Sequence, residues 1–301
     1  LVVAGAVETG AQEPALVPPQ GQVRIGFVYS DGNLPGTLAA YKAVLEERPE
    51  LAEQVTLTFL TESMFDDVDA EDIASSDVLV LDTMNQQMLE RFDAEHDIDL
   101  IDAVRRRGSV YSVGEGLLPR EQYVGKGALY DEVPRAFWAE SGFNNQVGLL
   151  KFALAKAGIR DLAVPELEPS LGFGYYYPDS ESGRVFPTWE AFTARREQLG
   201  KARPGAPRVA VGFYKSSYYS GETELIDAVI AEIERQGAEA VPFFGFPDAT
   251  AVSRMLVDEA GAPRADVMLS LLFRFAGPEA SPILEGVAIP VINLISLYER
   301  T

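Results

Sequence analysis

From Val23 onward the chain alternates between two hydrophobic periods. VRIGFVYS (23–30) is an apolar run of strand length, DGNLPG reads as a turn, and TLAAYKAVLEERPE (37–50) spaces its apolar residues as an amphipathic helix does. VTLTFL (55–60) predicts a second strand, SSDVLVLDTM (75–84) a third and RGSVYSVGEG (107–116) a fourth, with a helix expected around 97–107. After a proline-rich break the order returns. PRVAVGFYKSS (207–217) is a strand and GETELIDAVIAEIERQG (221–237) a helix. AEAVPFF (238–244), ADVMLSLL (265–272) and GVAIPVINLIS (286–296) are strands, with a helix at ATAVSRMLVDEA (249–260). Strands alternating with helices imply parallel sheets covered on both faces.

The fold expected is therefore α/β: two Rossmann- or flavodoxin-like, doubly wound parallel-sheet units joined by a connector rich in Pro and Tyr. Each half carries an apolar strand introduced by Asp-Val, at Asp77-Val78 and Asp266-Val267, about 55 residues after its first strand begins. The boundaries expected are a leader remnant and tether over 1–22, a first α/β domain over 23–133, a helical segment and connector over 134–207, and a second, truncated α/β domain over 208–301. Prolines at 165, 169, 178, 187, 204 and 207 argue against a long regular element in the connector.

Charge narrows the partners. Acidic residues number 46 against 25 basic ones, a formal charge of −21, and the densest basic cluster is Arg105-Arg106-Arg107, so nucleic acid is not an expected partner. No apolar run is long enough to span a bilayer. The absence of cysteine excludes disulfides, thiolate nucleophiles and Cys-ligated zinc. LVVAGAVETGAQEPALVPPQGQ (1–22) reads as the end of an export signal followed by a tether, which favours an exported or periplasmic protein.

Candidate chemistry is sparse. There is no GxGxxG after a strand, no P-loop and no GxSxG elbow, so no cofactor is bound by a recognisable motif. The single histidine, His96, lies in DAEHDIDLID, a poor setting for a triad or a metal site. FDDVDAEDIASSD (65–77) lacks the Gly and Glu of a calcium loop and reads as a solvated helix start. Six of the twelve tyrosines, Tyr175, Tyr176, Tyr177, Tyr214, Tyr218 and Tyr219, fall in the connector or in the turn after the second unit's first strand. Ligands of open α/β sheets bind at strand carboxyl ends, so this turn is either a ligand site or aromatic packing. Ser220 or Thr223 is placed to cap the helix that follows.

AFWAESGFNNQVGLLKFALAKAG (136–158), LGFGYYYPDSESGRVFPTWEAF (171–192) and VAVGFYKSSYYSGETELIDAVIAEIERQGAEAVPFFGFPD (209–248) together resemble the N-terminal portion of the CobN/BchH-type large subunit of cobaltochelatase and magnesium chelatase. The distinguishing elements are Gly142 to Asn144, Tyr176 to Asp179, and the Phe-Tyr-Lys-Ser turn with Ser220-Gly221 before a helix. The resemblance covers roughly 134–300 by motif and 23–117 by pattern.

It implies part of an ATP-dependent ligase that forms nitrogen–metal bonds, with a tetrapyrrole and a divalent metal, Co or Mg, as substrates. ATP hydrolysis would be supplied by separate AAA+ subunits, the family default is cytoplasmic, and the fragment alone would be inactive. Site residues implied are Tyr176, Tyr177 and Asp179 in the connector, and Tyr214, Lys215, Ser217, Tyr218 and Glu222 at the turn. No catalytic residue or resident metal ligand is implied. Family members often carry His at the position of Ser217, so a metal or ring contact by that His is not implied for this chain. The export signal raises an exported paralogue acting on haem or cobalt tetrapyrroles. Two other classes fit the same architecture: a periplasmic solute-binding module with two α/β lobes, and a non-catalytic docking head.

Overall fold

A computed structural model describes residues 22–82, 86–114, 124–178, 185–245, 248–272 and 285–294. The chain divides into two compact units: residues 1–139 with 146–166, and residues 140–145 with 167–301. Of the leader and tether expected over 1–22, residues 1–21 lie outside the described residues, as do Asp179 and the residues after 294.

The first unit holds a four-stranded parallel sheet in the order β2-β1-β3-β4: β1 Val23–Val28, β2 Val55–Leu60, β3 Val78–Leu81 and β4 Ser109–Ser112. Strand alternation sends residues to two separate cores. Ile25, Phe27, Val78 and Val80 pack with Ala40 and Val44 of α1 (Leu34–Glu47) and with Leu149, Leu150 and Ala153 of a later helix. Val28, Leu79 and Leu81 pack on the opposite face with Ile73 of α3 (Ala70–Ala74), Leu89 and Phe92 of α4 (Gln86–His96), and Leu100, Ile101 and Val104 of α5 (Leu100–Arg105). A four-residue helix, α2 (Leu51–Gln54), leads into β2. Burial on both faces is why these strands read as continuous apolar runs.

Helix α1 begins earlier than its periodicity suggests, at Leu34, because a 3-10 turn over Asp31–Asn33 feeds it and Pro35 occupies its first turn, where no intrahelical N–H is needed. The acidic run does start a helix: the Asp69 carboxylate caps α3 by accepting from Glu71 N at 2.7 Å. His96 ends α4 with its ring 4.4 Å from that of Phe92. Among the described residues no cluster of three or more His, Asp or Glu is placed to hold a metal ion.

In the second unit, β7 (Arg208–Phe213), β8 (Glu239–Gly245), β9 (Val267–Ser270) and β10 (Val291–Asn293) are parallel and ordered β10-β9-β7-β8. Numbered from β7, that is again 2-1-3-4. The two Asp-Val openings play one role. Asp77 accepts from Arg24 N at 2.9 Å and its own N–H donates to Arg24 O at 2.8 Å. Asp266 does the same to Arg208, at 2.7 and 2.9 Å. Each carboxylate satisfies a strand-start amide and fixes the register of the third strand against the first.

The proline-rich stretch expected only to connect is itself ordered into short elements. β5 (Phe173–Tyr176) adds antiparallel to β8, β6 (Val185–Phe186) adds antiparallel to β5, and α8 (Trp189–Gln198) packs behind them. Between the two sheets in sequence run α6 (Glu132–Glu140) and α7 (Phe143–Lys156). The brevity of the added strands is what the prolines impose; the alternating FGYYY supplies the two apolar faces. Tyr175 stacks on Phe192 at 5.2 Å on one face, and Tyr176 meets Phe213 edge-on at 5.7 Å on the other.

A buried charge cluster ties this edge down. The Arg196 side chain is 4% exposed and lies 3.8 Å from Glu234 and 3.7 Å from Glu239, which also meet Lys201 and Arg208 at 3.3 Å each. Tyr177 donates to Glu234 at 2.6 Å; burial, then that carboxylate, push its phenol far above the usual tyrosine range. Removing the central cation leaves two buried carboxylates short of charge. Arg196→Ala is therefore expected to lower unfolding free energy by about 3 kcal/mol, read by urea denaturation; a loss below about 1 kcal/mol would show that Lys201 and Arg208 hold the carboxylates alone.

Candidate functional site

The second unit's sheet reverses direction of strand addition between β7 and β9, and in such sheets the crevice at the strand carboxyl ends is where ligands lie. The chain leaving β7 there is Tyr214, then α9 (Lys215–Tyr219), then a turn with Gly221 at φ 83°, then α10 (Glu224–Arg235). Tyr214 reaches across the reversal and donates to Leu272 O, just past β9, at 2.5 Å. Ser217 serves the turn through its backbone: its N–H donates to Tyr214 O, and its carbonyl accepts from Glu222 N at 2.9 Å. Tyr218 stacks on Phe244 of β8 at 6.0 Å and 8° and meets Tyr219 edge-on at 4.9 Å.

The structure thus brings Tyr214, Lys215, Ser217, Tyr218 and Glu222 together on one turn. It places Tyr176 and Tyr177 elsewhere. Both are buried in the unit's core, Tyr176 with no exposure, and their hydroxyls are spent on carboxylates: Tyr176 bonds Asp227 and Tyr177 bonds Glu234. Residue alternation on β5 buries both faces, so packing accounts for these two rings, and Tyr176 supports the turn from below at 5.7 Å from Tyr218. Thr223 is the residue before α10, yet its side chain does not cap it; its hydroxyl donates to Asp227 at 3.3 Å, while that of Ser220 turns to Ser217 O.

Two charges at the turn are half-buried. Burial pushes the Lys215 ammonium below the usual lysine range, opposed by the Glu140 carboxylate, and its nitrogen lies 5.4 Å from the Tyr219 ring centre. Burial, then the neighbouring Glu224, push the Glu222 carboxyl up.

A second wall, which sequence reasoning noticed only as Gly142 to Asn144, comes from residues 140–145 and 168–171. Glu140 accepts from both the N–H and hydroxyl of Ser170, at 2.7 and 2.8 Å, which first and foremost hold its carboxyl below the usual range. Buried Asn145 donates to Ser141 O and Glu168 O and accepts from Glu168 N. Gly142 has φ 91°, and a Cβ there would stand 3.3 Å from the Tyr219 ring, so glycine serves both conformation and approach. Tyr219 closes the wall by accepting from Leu171 N at 2.9 Å. Glu140, Glu168 and Ser170 carried no motif in the sequence; the neighbouring Gly142 to Asn144 pattern was their only signal.

Among known proteins, residues 135–301 match the family model described as CobN/Magnesium Chelatase, more than half of the chain. The chain belongs to that family. An aerobic cobaltochelatase subunit CobN from Sinorhizobium sp. is 28% identical over 167 residues, 53% of this chain and 13% of the relative. This CobN-family chain thus spans about an eighth of that relative's length. The solved catalytic subunit of cobaltochelatase from Mycobacterium tuberculosis gives a TM-score of 0.48 at 16% identity, covering 84% of this chain and 18% of that one. A Caulobacter myo-inositol binding protein bound to myo-inositol gives 0.27 at 15% identity, covering 92% and 76%. Both scores fall below 0.5, and the fold rests on the strand order and register given above. No helix among the described residues is long and apolar enough to cross a membrane.

The two half-buried charges give a signed expectation. A raised carboxyl stabilises fully below its unfolded value and loses that contribution as pH rises through the folded value; a depressed ammonium contributes fully above its unfolded value and loses it as pH falls. Both groups are therefore charged at a cost near neutrality. Glu222→Gln is expected to gain stability relative to the parent as pH rises from about 4.5, the ordinary glutamate value, towards 7, read as Tm against pH. Equal Tm offsets at both ends would contradict it.

Proposed function

We propose that this chain supplies part of the tetrapyrrole cavity of a CobN-type chelatase large subunit, a protein that inserts a divalent metal, Co or Mg, into the ring. The observation that carries this is the position of the Tyr214–Glu222 turn. It lies within the matched residues 135–301, at the carboxyl end of β7, where the strand order reverses.

In this reading Tyr214 and Tyr218 offer aromatic faces or hydroxyls to the ring, and Lys215 pairs with a carboxylate or amide at its edge. Ser217 shapes the turn, and Glu222, ionised at a cost while the site is empty, regains that cost beside a metal ion or a cationic group. Tyr176 holds the turn from the core through Tyr218, Tyr177 holds the edge of the same sheet through Glu234 and Phe192, and Asp179 lies outside the described residues. The metal and the ring are substrates, and ATP would be hydrolysed by AAA+ partner subunits.

Replacing Tyr214, Lys215 and Tyr218 together by Ala in the intact subunit is expected to weaken tetrapyrrole binding by about 2 kcal/mol, roughly 30-fold, measured by absorbance titration. Unchanged affinity in a folded variant would remove the turn from the cavity.

A further inference from the structure

We propose that the cleft bounded by Ser141–Asn145, Glu168–Ser170, Tyr218 and Tyr219 in the second unit receives a guanidinium group, an arginine side chain on a basic segment of a partner protein. The cleft measures about 300 Å³ and all of its walls belong to this unit. It does not depend on the tetrapyrrole reading.

On the wall built by Asn145, Glu168, Ser170 and Leu171 the donors are already engaged. The side-chain amide donors of Asn145 are spent on Ser141 O and Glu168 O, and Asn144 donates to Glu168 Oε1 at 2.5 Å. The N–H of Glu168 is spent on Asn145, those of Ser170 and its hydroxyl on Glu140, and that of Leu171 on the Tyr219 hydroxyl. What remains on this wall is acceptor capacity, chiefly the second oxygen of Glu168. That residue is exposed, is the one carboxylate-bearing side chain lining the cleft, and among the described residues meets no Lys or Arg. A guanidinium brings five donors and no acceptor, which is the complement of such a wall.

The aromatic lining agrees. Phe143 is 50% exposed at the rim, where its ring face is open to a cation. The chain's charge of −21 steers basic partners toward it. Two opposing effects are present. The Lys215 ammonium, 5.4 Å from the Tyr219 ring centre, repels a second cation, though the Glu140 carboxylate offsets that charge. Helix α7 opens at the cleft and its amino end favours negative charge, but Glu168 beside it already supplies one. A single exposed carboxylate holds a free guanidinium only weakly, which is why the occupant is one anchor within a larger protein contact.

The test is an NMR titration of the 301-residue chain with N-acetyl-arginine amide, in parallel with N-acetyl-norleucine amide, acetate and sulfate. The arginine amide is expected to shift Gly142, Phe143, Asn144 and Tyr219 saturably, less so as salt rises, with Glu168→Gln weakening it about five-fold. Phe143→Ala provides the same comparison should Glu168→Gln perturb the spectrum at large. Equal shifts from norleucine amide, shifts from acetate or sulfate instead of arginine, no shift with any probe, or unchanged affinity in the variants would each overturn the proposal.

Discussion

The reversal of strand order about the first strand of each sheet is the constraint on which the rest depends. With β2 added on one side of β1 and β3 on the other, the chain must leave β1 toward one face and return toward the other, and the carboxyl ends part there. The same holds for β7 between β8 and β9. Parallel strands need covering helices on both faces, so the central strands β1, β3, β7 and β8 are buried along most of their length and the polar chemistry is driven to the strand ends. In the second unit that end is occupied by Tyr214 to Glu222, braced by Phe244 behind Tyr218 and by Leu272 O above Tyr214.

Register follows from a smaller device. Asp77 and Asp266 each bond both ways to an arginine that opens the central strand, and their position just before the third strand sets which residue faces which. A shift by one residue would turn every apolar side chain to the wrong face. The recurrence of strand order and aspartate in both units makes them two versions of one plan. The second departs from it by adding β5, β6 and α8 at an edge, pinned by the Arg196 cluster.

Much of this was legible in the sequence because long apolar runs and the Asp-Val openings recur at matching separations. Three features were not. The β5–β6 edge was hidden by prolines, which limit strand length without forbidding short edge strands. Tyr176 and Tyr177 look like surface aromatics in a polar loop, but alternation on a strand with two covered faces buries them, a fact that depends on residues far away such as Phe192 and Phe213. The Glu140, Asn145, Glu168 and Ser170 wall is assembled from two segments whose bonds link positions more than twenty residues apart, a pairing no local pattern announces. The turn itself was legible, since a tyrosine-bearing loop directly after a buried strand needs no distant information to be placed.

The central claim is that the carboxyl end of β7 is a ligand site for a flat macrocycle. Ring-current shifts in an NMR titration of the 301-residue chain with a metal-free porphyrin test it most directly, because a bound ring marks the nuclei above and below its plane. The account predicts saturable shifts gathered on Tyr214 to Glu222 and on Leu271 and Leu272. Shifts confined to other surfaces, or none in a chain whose spectrum shows it folded, would contradict it.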